Sequence, residues 1–286
     1  MRVLVTGASG FLGVPLMQSL SERGHAVIAA SRQNPAIEGV TWRQIGDLHR
    51  PFDWSSVLND VDAVVHLAGI AHASADKDAL RAVNVDATKA LLGSVKRAGI
   101  GRFIFVSSIL AQTGPTAPKI ITEADEAQPT TDYGKSKLLA EDEVKKSGCD
   151  FTILRPVIIE GEKPKGNVRI LHAIAALPLP LPFGSITAQR STLSSDNFCS
   201  AVLHMLDTPE TIGQTYIVAD PRARSVGEMI SDVRSKRGRK PNLFPVSENL
   251  LEKLAAAFGK RDLWQKVASP LVVDPSALMR TGWQPR

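Results

Sequence analysis

Cysteine is scarce in this chain, and long apolar runs and strong charge imbalance are missing. The two cysteines, Cys149 and Cys199, share no zinc-binding or redox spacing, which argues against a disulfide framework or a metal centre and suits a reducing compartment. The longest apolar stretch, Ile170 to Phe183, is broken by Pro178, Pro180 and Pro182 and is too short to span a bilayer. At the N-terminus Val3-Leu4-Val5 is cut off by Gly7 and Gly10, unlike the apolar core of a signal peptide. A cytoplasmic protein with no membrane partner is therefore expected. A net charge of +5 and a pI near 9.3 suit an anionic ligand but are too modest to imply nucleic acid. Five basic residues crowd into Arg234-Ser-Lys-Arg-Gly-Arg-Lys240, a run that reads as a solvated helix end and loop. Repeats and low-complexity tracts are absent as well.

What is present describes an α/β protein. Of its 286 residues, 43% are hydrophobic and 22% charged, enough to bury a sizeable core. Arg2-Val-Leu-Val-Thr6 is a short apolar run, followed by Gly7-Ala-Ser-Gly10-Phe-Leu-Gly13 and by Val14, Leu16, Met17 and Leu20 at helical spacing. Strand, Gly-x-x-Gly-x-x-Gly and helix in that order predict a dinucleotide-binding turn. The first glycine permits the tight turn, the second lets backbone approach a pyrophosphate, and the third lets helix pack closely on strand.

A second strand, Ala26 to Ala30, ends at Ser31-Arg32. NAD sites usually carry an acidic residue here. None is present; Arg32 would meet a 2′-phosphate or merely stack on adenine, so NADP is favoured over NAD. Val40 to Ile45 reads as a third strand, followed by Asp47-Leu48, and Asp62 to Leu67 as a fourth, ending in the small pair Ala68-Gly69. A long helix from about Asp76 to Ala98 carries Asn84 and Thr88, and a fifth strand, Arg102 to Val106, ends in Ser107-Ser108. Phe151 to Arg155 is the sixth, stopped by Pro156. The alternation predicts a doubly wound Rossmann sheet over residues 1–156. Residues 157–286 read as a smaller substrate lobe whose elements interleave with the first domain. In it Ser185 to Leu193, Thr215 to Val218 and Leu271 to Val273 read as strands, and Asp196 to Leu206 as a helix.

Tyr133-Gly-Lys-Ser-Lys137 opens the helix before the sixth strand. Four residues apart, Tyr133 and Lys137 share one helix face. A phenol titrates near ~10; an adjacent ammonium and a cationic nicotinamide favour the phenolate and ready proton exchange. Alone, such a pair reads as an ordinary surface pair. Its company changes that reading.

Gly7/Gly10/Gly13, Asp47-Leu48, Ser107-Ser108, Tyr133-x-x-x-Lys137 and Arg155-Pro156, in this order over nearly the whole chain, resemble the extended short-chain dehydrogenases/reductases of the NAD-dependent epimerase/dehydratase family. The resemblance implies a catalytic set of Ser108, Tyr133 and Lys137, with Ser108 holding the substrate oxygen and Lys137 binding the nicotinamide ribose. It also implies a pyrophosphate site along Thr6, Gly7, Ser9, Gly10, Phe11, Leu12 and Gly13, with Asp47 and Leu48 at the adenine. Ser31, Arg32, Leu67, Ala68, Gly69, Asn84, Val106 and Arg155 complete the predicted cofactor site. A homodimer through the helices bearing Asn84 and Tyr133 is the default by likeness.

Gly166-Asn167, Leu179-Pro-Leu-Pro-Phe-Gly184, Arg190-Ser191, Asp196-Asn197 and Gly282-Trp283-x-Pro285 resemble a bacterial group of UDP-sugar enzymes that includes UDP-N-acetylquinovosamine dehydrogenases. By that likeness Arg190 clamps the UDP pyrophosphate, a task suited to a planar guanidinium, and Asn167 serves the same end. Sugar 4,6-dehydratases carry Asp-Glu after the catalytic hydroxyl residue. Here Ile109-Leu110 have no proton to exchange, so dehydration is rejected. Glu160-Gly161 in place of the usual Tyr-Gly, and an altered Ala111 to Gly114 segment, bear on the identity of the sugar. The expected activity is hydride transfer at C4 of a nucleotide sugar, as in a UDP-4-keto-6-deoxy-N-acetylhexosamine reductase serving surface polysaccharide precursors. A 4-epimerase with tightly held NAD and a non-catalytic dinucleotide-binding protein are the alternatives.

Overall fold

The computed structural model describes residues 1–71, 75–161 and 166–286, with backbone alone at 166–167, 262–263 and 266–267. Its centre is a seven-stranded sheet of β1 (Arg2–Thr6), β2 (Ala26–Ser31), β3 (Thr41–Gln44), β4 (Ala63–His66), β5 (Arg102–Val106), β6 (Phe151–Pro156) and an edge strand, Gln214–Val218. From that edge the order is β6, β5, β4, β1, β2, β3, every pairing parallel. Parallel strands covered on both faces need nearly continuous apolar runs. Val3, Val5, Val65 and Ile104 accordingly pack on one face with α1 (Gly13–Glu22) and the helix Ser195–Asp207. Leu4, Val64, Phe103 and Phe105 pack on the other, with the helices Ala87–Arg97 and Asp132–Lys146. The strand order reverses at β1, between β2 and β4, opening a crevice at the carboxyl ends of the strands.

Several local expectations are corrected. The long helix from Asp76 is interrupted: Lys77–Leu80 leads into a wide π-helical stretch, Arg81–Asp86, before Ala87–Arg97. Wide turns of this kind commonly mark functional positions, and this one carries Asn84. The strand expected over Ser185 to Leu193 is reduced to Gln189–Arg190 and Thr192–Ser194. These two pieces pair with different partners, Arg224–Ser225 and Ile158–Glu160, so no single strand forms. Leu271 and Val273 make isolated bridges to Arg190 and Ile121.

Nor is the basic run simply solvated. Arg234 is buried and donates to the carbonyls of Ala175 (3.1 Å), Leu177 (2.9 Å), Leu179 (2.8 Å) and Pro241 (2.6 Å). Arg239 donates to Ala176 O (2.6 Å). The two guanidiniums thus satisfy carbonyls at and beyond the end of the helix Gly166–Ala176, where the last turn has no intrahelical partners and a negative dipole end. No helix among the described residues is long and apolar enough to cross a membrane.

Candidate active site

The glycine turn fits a phosphate-bearing ligand for steric reasons. Gly7 adopts φ +66°, and a Cβ there would meet Ala68 N at 2.8 Å. A Cβ on Gly13 would lie 2.3 Å from Ala8 O, so nothing larger lets α1 start this close to β1. That helix begins with no side-chain cap and no acidic residue in its first turn. Its free N–H groups and positive dipole end therefore suit an anion. Ser9 is exposed, Gly10 and Phe11 half-buried, and Leu12 packs against the core.

Across the crevice, a buried network ties the ends of β1 and β4 to the Asn84 segment. Thr88 Oγ1 donates to Asn84 O (2.8 Å) and so accepts from His66 Nε2 (3.0 Å). His66 Nδ1 then accepts from Thr6 Oγ1 (2.7 Å), which in turn accepts from Ala68 N (3.2 Å). Burial holds the His66 pKa down at about 3, so the ring is neutral and acts as a fixed bridge. Asn84 accepts from Ile70 N (2.8 Å) and donates to Ile70 O (3.1 Å) and Ser136 Oγ (2.9 Å). A Cβ on Gly69 would sit 2.9 Å from Asn84 Oδ1 and 4.0 Å from Lys137 Nζ. Leu67, Ala68 and Val106, all predicted cofactor neighbours, line the same strand ends.

The helix Asp132–Lys146 is capped by Thr131, whose Oγ1 accepts from Gly134 N (3.0 Å). Gly134 faces the tight turn Ile109–Ala111 so closely that a Cβ would lie 2.0 Å from Leu110 O. Ser108 caps that turn, accepting from Leu110 N (3.1 Å), and its side chain lies beside the Tyr133 phenol. Burial raises the Tyr133 pKa, and the neighbouring Ser108 side chain partly offsets this. Lys137 is buried, with Nζ 4.2 Å from the centroid of the Phe105 ring. Desolvation lowers its pKa to about 7, against the opposing field of Glu141. In this state the cation that would tune the phenol is itself destabilised, so an added anionic or hydroxyl-rich ligand has a ready partner.

That depression fixes a stability prediction. The unfolded chain holds the lysine proton to about pH 10.4, whereas the native state releases it near 7. Ligand-free stability from this group is therefore fully present above the unfolded pKa and is lost as pH falls towards 7. Lys137→Met should melt higher than the parent at pH 7, by a few kcal/mol at about 1.4 kcal/mol per pK unit, with the gap closing towards pH 10. Parallel melting curves across that range would contradict a desolvated amine.

Other predicted residues are placed differently. Arg155 lies in a buried ion pair, Nε donating to Glu141 Oε1 (2.9 Å) and Nη2 to Oε2. Ser107 donates to the same carboxylate (2.5 Å). Through this carboxylate Arg155 and Ser107 tie the ends of β6 and β5 to the helix Asp132–Lys146. Ser31 is buried, its hydroxyl donating to Gln33 O (2.6 Å). Arg32 is exposed and lies near enough to Asp47 to depress that carboxyl, after the larger effect of His49 hydrogen bonding. Leu48 packs on the second core face. Arg190 donates to Ser269 O (2.6 Å) and Pro115 O (2.9 Å); Asn167 starts the helix Gly166–Ala176, its side chain outside those described. Sequence reasoning missed His66, Ser136 and Glu141. For Glu141 the only available signal was its four-residue spacing from Lys137.

Arg190 also lines a cavity of about 260 Å³ in the C-terminal half, walled by Leu171, Ile174, Phe183, Met229, Ile230 and Trp264. Glu160 and Lys260 are its other charged residues, and Glu160 is held by Arg224 (2.7 Å). Among the described residues no group of three His, Cys, Asp or Glu is placed to hold a metal ion.

A parallel sheet reversing at β1, a glycine turn feeding an uncapped helix and a Ser–Tyr–Lys cluster beside it define a dinucleotide-binding α/β protein of the extended short-chain dehydrogenase/reductase type. Residues 3–219 match the NAD dependent epimerase/dehydratase family, and the chain belongs to that family. It is 30% identical to a UDP-glucose 4-epimerase of Vibrio cholerae, over 99% of this chain and 90% of that protein. It is also 27% identical to a 3-beta-hydroxysteroid dehydrogenase of Mycolicibacterium neoaurum, over 98% and 81% of the two chains. The fold matches UDP-glucuronic acid 4-epimerase from Bacillus cereus in complex with NAD, at TM-score 0.78 and 20% identity, covering 100% and 94% of the two chains.

Proposed function

We propose that this protein transfers a hydride between a nicotinamide dinucleotide and C4 of a nucleotide-activated sugar, acting as a reductase of a UDP-4-keto-6-deoxy-N-acetylhexosamine. The observation that carries the chemistry is the Ser108 side chain set beside the Tyr133 phenol, near enough to lower its pKa, with buried Lys137 one helical turn away. A bound nicotinamide would supply the hydride. Tyr133 would deliver a proton to the ketone oxygen, and Ser108 would donate a hydrogen bond to the alkoxide that develops there. Lys137, a buried amine with no carboxylate contact among the described residues, would hold the nicotinamide ribose and favour the phenolate between turnovers. The turn Thr6 to Gly13 and the α1 N-terminus would hold the pyrophosphate. Arg32, exposed at the end of β2 where NAD sites place an acid, supports NADP.

Oxidation of NADPH and NADH is followed with and without the UDP-ketosugar. Ketosugar-dependent loss of reduced nicotinamide, about tenfold more efficient with NADPH and equalised by Arg32→Ala, is expected. A protein purified with bound NAD that interconverts UDP-sugars without added nucleotide would instead be a 4-epimerase, as the Vibrio cholerae relative is named. Cofactor binding without turnover of any ketone would favour a non-catalytic dinucleotide-binding role.

A second reading follows from the apolar cavity. Its walls offer few free polar groups to a uridine, and a relative named as a hydroxysteroid dehydrogenase supports a ketone on an apolar skeleton. A 3-ketosteroid in the same assay separates the two: turnover of it with none of the UDP-sugar reverses the substrate assignment while leaving the roles of Ser108, Tyr133 and Lys137 intact.

A further inference from the structure

The surface between the helix Gly166–Ala176 and the basic run combines two features that the active site does not use. Leu177 and Leu179 stand 45% and 60% exposed on a proline-punctuated segment, and Phe244 is 42% exposed on the segment beside it. The two segments are held together by Leu181 N donating to Asn242 O (3.0 Å), by Phe244 N donating to Leu181 O (3.0 Å), and by the buried Arg234, which donates to both. Four cations, Lys236, Arg237, Arg239 and Lys240, are exposed on the same loop. Arg239 and Lys240 share a groove with Leu177 and Pro178. Neither Arg169 to Arg190 nor Val233 to Ser247 contains an acidic residue. The next helix, Glu248–Ala257, buries none of its side chains, and Leu250, Leu254 and Phe258 recur at four-residue spacing, Phe258 being 78% exposed.

We propose that this face docks on an anionic lipid surface, its leucines and phenylalanine entering the headgroup boundary and its lysines and arginines meeting lipid phosphates. Projecting apolar side chains ringed by cations need no shape-matched partner on a bilayer, and binding there scales with buried apolar area plus charge attraction. The contact is peripheral: no helix among the described residues is long and apolar enough to cross a membrane. It is also independent of which substrate the crevice accepts.

The full-length protein is co-sedimented with phosphatidylglycerol–phosphatidylcholine vesicles and with pure phosphatidylcholine. Partition onto the anionic vesicles is expected to fall roughly tenfold or more on neutral lipid, in high salt, and in Lys236→Gln/Lys240→Gln. Leu179→Asp, at an exposed position, should abolish partition while melting temperature and dinucleotide binding stay unchanged. Absence of partition onto anionic vesicles would overturn the proposal. So would partition indifferent to Leu179→Asp, or equal affinity for duplex DNA or polyglutamate, since either would describe a general polyelectrolyte surface.

Discussion

Tyr133→Phe lowers turnover by on the order of 10²–10⁴-fold, the contribution of a positioned general acid, and leaves dinucleotide affinity unchanged. The phenol is half-buried beside the Ser108 side chain, whereas the glycine turn and the α1 N-terminus that suit the pyrophosphate lie on a different element. Phenylalanine keeps the ring's packing and deletes only the proton. Stopped-flow hydride transfer and equilibrium nucleotide titration on the same preparation read the two effects separately. A Phe variant that still turns over would move the proton donor to another group, such as the neighbouring Ser108.

Gly134→Ala produces the second large loss, although the residue carries no chemistry. Its Cβ would lie 2.0 Å from Leu110 O and 2.9 Å from the carbonyl carbon, both backbone atoms that cannot rotate away. The turn Ile109–Ala111 must therefore retreat from the catalytic helix, carrying Ser108, its cap, away from Tyr133. A displacement near 1 Å at a reacting centre costs on the order of 10²-fold, so kcat should fall by about that factor. Stability should drop by roughly 1–3 kcal/mol from overpacking. Dinucleotide affinity should hold, since the Gly7–Gly13 turn is not displaced. Full activity in Gly134→Ala would mean that the turn yields without moving Ser108.

The sheet was legible because its strands are buried on both faces: runs such as Val3-Leu4-Val5 and Phe103-Ile104-Phe105 need no partner information to be read. Tyr133 and Lys137 were legible because four-residue spacing on a helix is a local relation. The residues that escaped depend on distant partners. Glu141 meets Arg155 and Ser107 from different elements, so its pairing with either was not visible in the linear order. His66 gains its meaning from Thr6 and Thr88, 60 and 22 residues away. Arg234 looked like one charge in a solvated run, yet it donates to carbonyls of two neighbouring segments that are far apart in sequence. In each case a polar side chain was buried by packing that no sequence window contains, and burial then forced it to find a partner.

The edge strand Gln214–Val218 comes from the second half of the chain yet completes the sheet of the first, pairing with β6 along its length. Glu123 Oε1 covers its outer side at Ile217 N (2.8 Å). Arg102, at the start of β5, is fastened to Met205 O (2.6 Å) and Thr211 Oγ1 (2.6 Å). A fragment ending at Pro156 would expose the whole β6 edge to pairing with other copies and strip the sheet of its cover from the helix Ser195–Asp207. The dinucleotide half is not a detachable cassette, and grafting it onto another substrate lobe would require carrying residues 195–218 along with it.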